Sequence, residues 1–87
     1  MELNLERPLV ILDIEATGDQ INKDRIVEIG MIKLDVDGKE TTFEKKINPE
    51  IPIPVEASLI HGVYDKDVEG KYTFGQIAPG LVKFLHN

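Results

Sequence analysis

The feature that most constrains this chain is an apolar run, Leu9 to Ile14, that contains one acidic residue and is followed by a second. Its length and β-branched residues predict a strand, and its continuous apolarity predicts burial on both faces, as in a sheet covered by helices on either side. On a strand, Asp13 and Glu15 project from the same face because they lie two residues apart. Two carboxylates at the end of a buried strand are unfavourable unless a cation joins them.

Paired carboxylates of this kind suit Mg²⁺ or Mn²⁺, which keep bound waters and also bind substrate phosphates. The position fits such a site, since ligands of open α/β sheets collect beyond the carboxyl ends of central strands. Thr17 and Gly18 follow at once, and a hydroxyl with an unhindered backbone N–H there could approach a phosphate or a sugar. Asp-x-Glu alone is a weak motif, so a solvated strand end with exposed acids remains the alternative.

Two further strands are predicted after this motif. Arg25 to Asp35 is partly alternating, and Glu40 to Ile47 interleaves Thr, Phe and Ile with charges, as a half-exposed strand does. Asp37-Gly38 between them is a strong hairpin signal.

The rest of the chain is predicted to be mainly helical. A proline-containing connector leads into a short helix, Val55 to Ile60, that Gly62 ends. The stretch from Thr73 onwards has apolar residues at helical spacing. Pro79 within it predicts either a kink or a helix that begins near Ile77.

This order of elements predicts an α/β fold in a single small domain over residues 1–87. A first strand covered on both faces needs a neighbour at each edge, and the hairpin supplies only one. We therefore expect a further strand beyond Asn87, and we expect the open edge to invite self-association with a second chain.

Composition limits the classes of function. The 87 residues include 10 basic and 16 acidic side chains, a net charge of −6, and no cysteine, which excludes disulfides and thiolate metal sites. The acidic N-terminus has no apolar run long enough for a signal peptide or a membrane span, so the expected location is cytoplasmic, with no membrane partner. The acidic balance predicts weak nonspecific attraction to nucleic acid, and Lys45-Lys46 is too short to form a patch by itself.

Several segments together resemble a known family. The N-terminal part of the chain is similar to the first motif of the DEDD superfamily of 3′–5′ exonucleases, in its DnaQ-like branch. The similar segments are an apolar strand, the pattern Asp-x-Glu-x-Thr-Gly and then "RIVEIGMIKL". "INPEIPIP" leading into "EASLIHGV" fits the same pattern, and "YTFGQIAPGLVKFL" resembles the family's "PTF" helix. The resemblance covers nearly the whole chain in order, and it implies a ribonuclease-H-like fold with a three-stranded antiparallel meander, helices and an incomplete mixed sheet.

The resemblance also implies roles for particular residues. Asp13 and Glu15 would be catalytic and would ligate Mg²⁺ or Mn²⁺, with two ions in the complete domain. The 3′-terminal nucleotide of single-stranded DNA or RNA would be bound by residues of two segments: Ala16, Thr17, Gly18, Ile60 and His61. Proofreading members of the family imply a polymerase subunit as a partner.

The chain departs from the family in one important respect. Members use four acids, and only two are visible here. The chain therefore resembles the N-terminal part of an exonuclease domain, truncated before the second and third motifs, and we expect the 87 residues alone to have no significant nuclease activity. The alternative is a noncatalytic ribonuclease-H-like interaction module.

Overall fold

A computed structural model describes residues 5–20 and 22–86, so Met1 to Asn4, Ile21 and Asn87 lie outside the description. Three strands form one antiparallel sheet in the order β1-β2-β3, and three helices follow. The strands are β1 (Leu9–Ala16), β2 (Ile26–Leu34) and β3 (Glu40–Lys46). The predicted strands, their order and the open sheet are confirmed. All three strands are antiparallel, and a parallel backbone bridge joins Asn48 to Thr73 outside them.

The β2–β3 hairpin forms where the sequence predicts it. Gly38 has a φ of 88°, a left-handed conformation that glycine adopts without steric cost. The turn is closed by a hydrogen bond of 2.9 Å from the Asp35 N–H to the Lys39 carbonyl. The Asp37 carboxylate accepts a further bond of 2.9 Å from the Lys39 N–H. These contacts fix the register of β3 against β2.

The helices are α1 (Val55–His61), α2 (Asp65–Val68) and α3 (Phe74–Leu85). Gly62 ends α1, as predicted. It adopts the left-handed conformation, and its N–H bonds to the Ser58 carbonyl at 2.7 Å. The prediction that α3 could begin near Ile77 is wrong. Thr73 and Gln76 form a reciprocal capping pair that starts the helix at Phe74, so Pro79 lies in its second turn.

The core lies on one face of the sheet. Ile29 and Met31 of β2 pack there with Ile47 and with Ile77 and Leu81 of α3. A second buried group, formed by Val27, Ile53, Val63 and Val68, lies at the other end of β2 and holds α1 and α2. Because β2 alternates between buried and half-buried residues, it is the strand around which the rest is organised.

The prediction that β1 is buried on both faces is wrong for the described residues. The exposed fractions are 40% at Leu9, 53% at Ile11, 54% at Leu12 and 42% at Ile14. Helix α3 covers one face of β2 and β3, and from β1 only Val10 packs against that core. Strand β1 pairs with β2 along one edge, and no described strand pairs with its other edge. The apolar side chains of β1 therefore lack the packing partners among the described residues that their sequence predicts.

Within residues 5–20 and 22–86, none of the helices has the length and apolar character needed to cross a membrane.

Candidate active site

Four carboxylates line one small cleft on the sheet face opposite α3. Asp13 and Glu15 come from β1, Glu28 from β2 and Glu44 from β3, and the cleft has a volume of about 190 Å³. Gly30, which also lines the cleft, pairs with Asp13 on one side and with Glu44 on the other. Since a glycine has no side chain, this position leaves room between the two acids. We call this feature the acidic cleft.

The strand register explains why the acids share a face. Residues directly opposite in an antiparallel pair project to the same side of the sheet. Glu15 lies opposite Glu28, and Glu28 lies opposite Lys46. The register shifts immediately after Glu15, at a β-bulge that a sheet commonly uses to redirect side chains near a site.

The charges in the acidic cleft are only partly compensated. Like charges directly opposite on neighbouring strands repel, so Glu15 and Glu28 destabilise the sheet where they meet. The Lys46 ammonium lies 3.2 Å from the Glu28 carboxylate and offsets one of these charges. No lysine or arginine lies within ion-pair distance of Asp13 or Glu15 in the described part of the chain. A bound cation would therefore relieve a repulsion built into the sheet.

The donor set suits a hard divalent ion but is incomplete. Mg²⁺ is typically held by one or two carboxylates, with waters and substrate phosphates supplying its other ligands. Asp13 and Glu15 provide two carboxylates on one face of β1. Across residues 5–20 and 22–86, no group of three or more acids and histidines converges closely enough to hold an ion by itself. The described residues thus offer two carboxylates on one face of β1, which would suffice only for partial coordination of one ion.

The loop after β1 is held by Asp24. The Thr17 side chain is buried, and its hydroxyl donates to the Asp24 carboxylate at 2.9 Å and accepts from the Arg25 N–H at 2.9 Å. The other Asp24 oxygen accepts from the Gln20 N–H at 2.9 Å. This backbone bond, then the Thr17 hydroxyl, lowers the pKa of Asp24 below its usual value of 3.8. The Thr17 hydroxyl is therefore engaged in holding the loop.

Gly18 is a glycine for a steric reason. A Cβ atom added there would clash with an oxygen of the Asp24 carboxylate, so any larger residue would displace that carboxylate. The close approach keeps the Thr17-Gly18 backbone tight against the end of β1.

His61 joins α1 to the end of β1. Its Nδ1 accepts a bond of 3.1 Å from the Val63 N–H, which leaves the proton of the neutral ring on Nε2. Nε2 then donates to the Ala16 carbonyl at 3.1 Å. The adjacent Ile60 has 86% of its surface exposed. The structure therefore brings Ala16 and His61 together, with an exposed apolar side chain beside them.

Two sets of residues were missed by the sequence reasoning or left open by it. The position of Glu28 within the second predicted strand allows two interpretations, a residue near the site or a partner of a lysine. The structure shows both, because Glu28 lines the acidic cleft and pairs with Lys46. Glu44 and Asp24 were not singled out. Cross-strand register could have predicted Glu44, because the Asp37-Gly38 turn fixes which β3 residue faces Gly30. No sequence pattern marks the contact between Asp24 and Thr17.

The fold and the acidic cleft together define a class: an α/β domain with paired carboxylates on the strand that leads into a tight Thr-Gly loop. Comparison with known families places the chain within this class. The family described as Exonuclease matches residues 10–87, so the chain belongs to the exonuclease family.

The chain is also similar in sequence to named proteins. The chain is 41% identical over 80 residues to the DNA polymerase III subunit epsilon of Rickettsia prowazekii, covering 87% of this chain and 34% of that protein. It is 32% identical over 83 residues to the PolC-type DNA polymerase III of Caldanaerobacter subterraneus subsp. tengcongensis, covering 95% of this chain and 6% of that protein. The chain thus spans about a third of one of these relatives and 6% of the other.

A solved structure shares the fold. A full-length 3′-exonuclease superposes with a TM-score of 0.74 over 88% of this chain and 28% of its own, at 21% sequence identity. The likeness supports the ribonuclease-H-like architecture expected from the sequence.

Proposed function

We propose that this chain supplies the carboxylate part of a metal-dependent 3′–5′ exonuclease site. The observation that carries the proposal is the shared face of Asp13 and Glu15 in the acidic cleft, in a chain that belongs to the exonuclease family. The two carboxylates would hold Mg²⁺ or Mn²⁺, with two ions in the complete domain. Ions of this kind lower the pKa of a bound water and stabilise the oxygen that leaves phosphorus.

The chain's own residues have separate tasks in this proposal. Asp13 and Glu15 hold the cation. Ala16 and Gly18 present backbone to the 3′-terminal nucleotide, while Ile60 offers an exposed apolar surface to its base. Thr17 acts by keeping the loop in place through Asp24, and His61 by fixing the end of β1 to α1.

The substrate in this proposal is the single-stranded 3′ end of DNA or RNA. The named relatives are a subunit and a form of DNA polymerase III, which supports a polymerase subunit as a partner and DNA as the first substrate to test. The two ligands of the described residues are fewer than a complete two-ion site requires. We therefore propose that further acids outside the 87 residues complete the site, and that the chain alone is inactive.

A chimera tests the activity directly. Residues 1–87 replace the matching segment of the Rickettsia prowazekii epsilon subunit, and trimming of a 5′-labelled oligonucleotide is followed with Mg²⁺ or Mn²⁺. We expect the chimera to shorten the strand from its 3′ end and Asp13→Ala to reduce the rate by at least ~100-fold, since a catalytic ion contributes several kcal/mol. An active parent with an inactive, folded chimera would contradict the proposal. Trimming by the isolated chain that Asp13→Ala abolishes would contradict its inactivity.

We also propose that two copies of the chain associate through β1. No described strand pairs with the outer edge of β1, and the strand has four exposed apolar side chains. Neither lysine nor proline lies between Leu9 and Ala16 to discourage pairing. Sedimentation velocity should show a concentration-dependent dimer that Leu12→Lys abolishes. A wild-type monomer at all concentrations would reject this association without bearing on the exonuclease site.

A further inference from the structure

A cleft with a volume of about 590 Å³ lies beside the acidic cleft and carries three lysines. Lys45 and Lys46 come from the end of β3, and Lys71 and Tyr72 from the segment before α3. We call this feature the lysine cleft. Glu28 and Glu44 line both clefts, so the two adjoin.

The charge of the lysine cleft differs in sign from that of the chain. Its lining has three ammonium groups and two carboxylates, a formal charge of +1, whereas the whole chain carries −6. Three of the ten basic residues of the chain are gathered at this one place. Lys45-Lys46 is too short in sequence to predict a nucleic-acid patch, but folding adds Lys71 to it.

The segment that carries Lys71 and Tyr72 is held by backbone contacts. Gly70 reverses the chain with a φ of 76°, and the Lys71 N–H then bonds to the Val68 carbonyl at 3.0 Å. The Tyr72 carbonyl accepts from the Asn48 N–H at 2.9 Å, next to the bridge between Asn48 and Thr73. These contacts hold the backbone of Lys71 and Tyr72 in place relative to Asn48, the segment that follows β3.

Tyr72 is the second element of the cleft that points to a ligand. Its exposed fraction is 67%, although it lines the cleft together with Ile77, a buried residue of the core. An exposed aromatic ring beside a lysine cluster is a combination that binds single-stranded nucleic acid, because bases stack on the ring while lysines contact phosphates.

We propose that the lysine cleft binds the single strand at a distance from its 3′ end, with Lys45 and Lys71 on phosphates and Tyr72 under a base. The inference rests on the proposed exonuclease function and adds to it a second contact region on the same substrate. Lys46 is tied to Glu28 at 3.2 Å, so we assign it to the junction of the two clefts and not to phosphate binding. Lys45 lies opposite Ile29, on the sheet face that α3 covers. The strand would therefore cross the outer edge of β3 and enter the acidic cleft past Glu28 and Glu44, which line both clefts.

The test measures binding without metal. Fluorescence anisotropy of labelled dT12 and rU12 is recorded with the chain in EDTA over a series of salt concentrations, which makes the readout independent of catalysis. We expect Lys45→Ala and Lys71→Ala each to weaken binding and to reduce the salt slope by about 0.7, the value for one phosphate contact of a single strand. Tyr72→Ala should weaken binding roughly tenfold, and Tyr72→Phe should preserve it.

A control variant on another surface shows whether an effect is specific to the lysine cleft. Lys66→Ala removes an exposed lysine from a different surface and should bind as the wild type does. Circular dichroism and the Tm of each variant confirm folding. Affinities and salt slopes of Lys45→Ala and Lys71→Ala equal to those of Lys66→Ala would overturn the proposal, as would the absence of salt-dependent binding by the wild type.

The two proposals fail separately. Loss of the lysine effect with intact Mn²⁺ binding at Asp13 rejects the lysine cleft alone, and the converse result rejects the metal site alone.

Discussion

Replacing His61 by alanine separates a positioning role of this side chain from a direct role in binding. The ring makes two hydrogen bonds of 3.1 Å, to the Ala16 carbonyl and from the Val63 N–H. Each neutral bond contributes about 0.5–1.5 kcal/mol, so their loss should lower the free energy of unfolding by about 1–3 kcal/mol. For a domain of this size each kcal/mol corresponds to about 4–8 °C in Tm. We expect thermal denaturation of His61→Ala to show a Tm lower by roughly 5–20 °C.

Two conservative variants resolve the contribution of each ring nitrogen. Asparagine at this position places an acceptor near Nδ1 and can keep the bond from Val63, whereas glutamine places a donor near Nε2 and can keep the bond to Ala16. His61→Asn and His61→Gln should therefore each lose about half of the stability that His61→Ala loses. If His61→Ala melts within about 1 °C of the wild type, far below the expected shift, the ring does not hold β1 against α1. The reasoning would then be refuted.

Two further predictions concern the supports around the site. Lys33 is buried, and its ammonium donates to the carbonyls of Phe84 at 3.0 Å and His86 at 3.1 Å at the end of α3, so Lys33→Met should cost about 1.5–3 kcal/mol in chemical denaturation. A cost equal to that of Lys83→Met, an exposed lysine of α3, would contradict this cap. The lowered pKa of Asp24 means that its contribution to stability is present above pH 3.8 and is lost as the pH falls through the folded-state value. The Tm difference between wild type and Asp24→Asn should accordingly be full at pH 6 and shrink below pH 3.8, and a difference that does not change with pH would contradict the assignment.

Local signals predicted most of the elements. The hairpin follows from Asp37-Gly38, and the end of α1 from Gly62, because both depend on the backbone freedom of one glycine. The shared face of Asp13 and Glu15 follows from the period of a strand. These features need no knowledge of distant residues, and the structure has them where the sequence predicts them.

Contacts between distant segments could not be predicted in the same way. The burial of β1 depends on which segments pack against it. Its apolar sequence shows only that burial on both faces would be energetically acceptable. The start of α3 was set by the Thr73–Gln76 pair against the preference of Pro79. Lys71 and Lys45 line the same cleft because a backbone bridge joins Asn48 to Thr73. No sequence pattern predicts that bridge. The roles of Asp13, Glu15, Ala16, Gly18 and Ile60 toward ion and nucleotide remain proposals.

Binding of Mn²⁺ to the 87-residue chain, followed by the loss of the free-ion electron paramagnetic resonance signal, tests the central claim most directly. We predict saturable binding of one ion per chain, weakened at least roughly tenfold by Asp13→Asn and by Glu15→Gln, since even residues behind the ligands of a metal cost about 10–100-fold in affinity. Glu56→Gln, which removes an exposed carboxylate from α1, should leave binding unchanged. Equal binding by wild type, Asp13→Asn and Glu56→Gln would show that the two acids of β1 do not hold the ion.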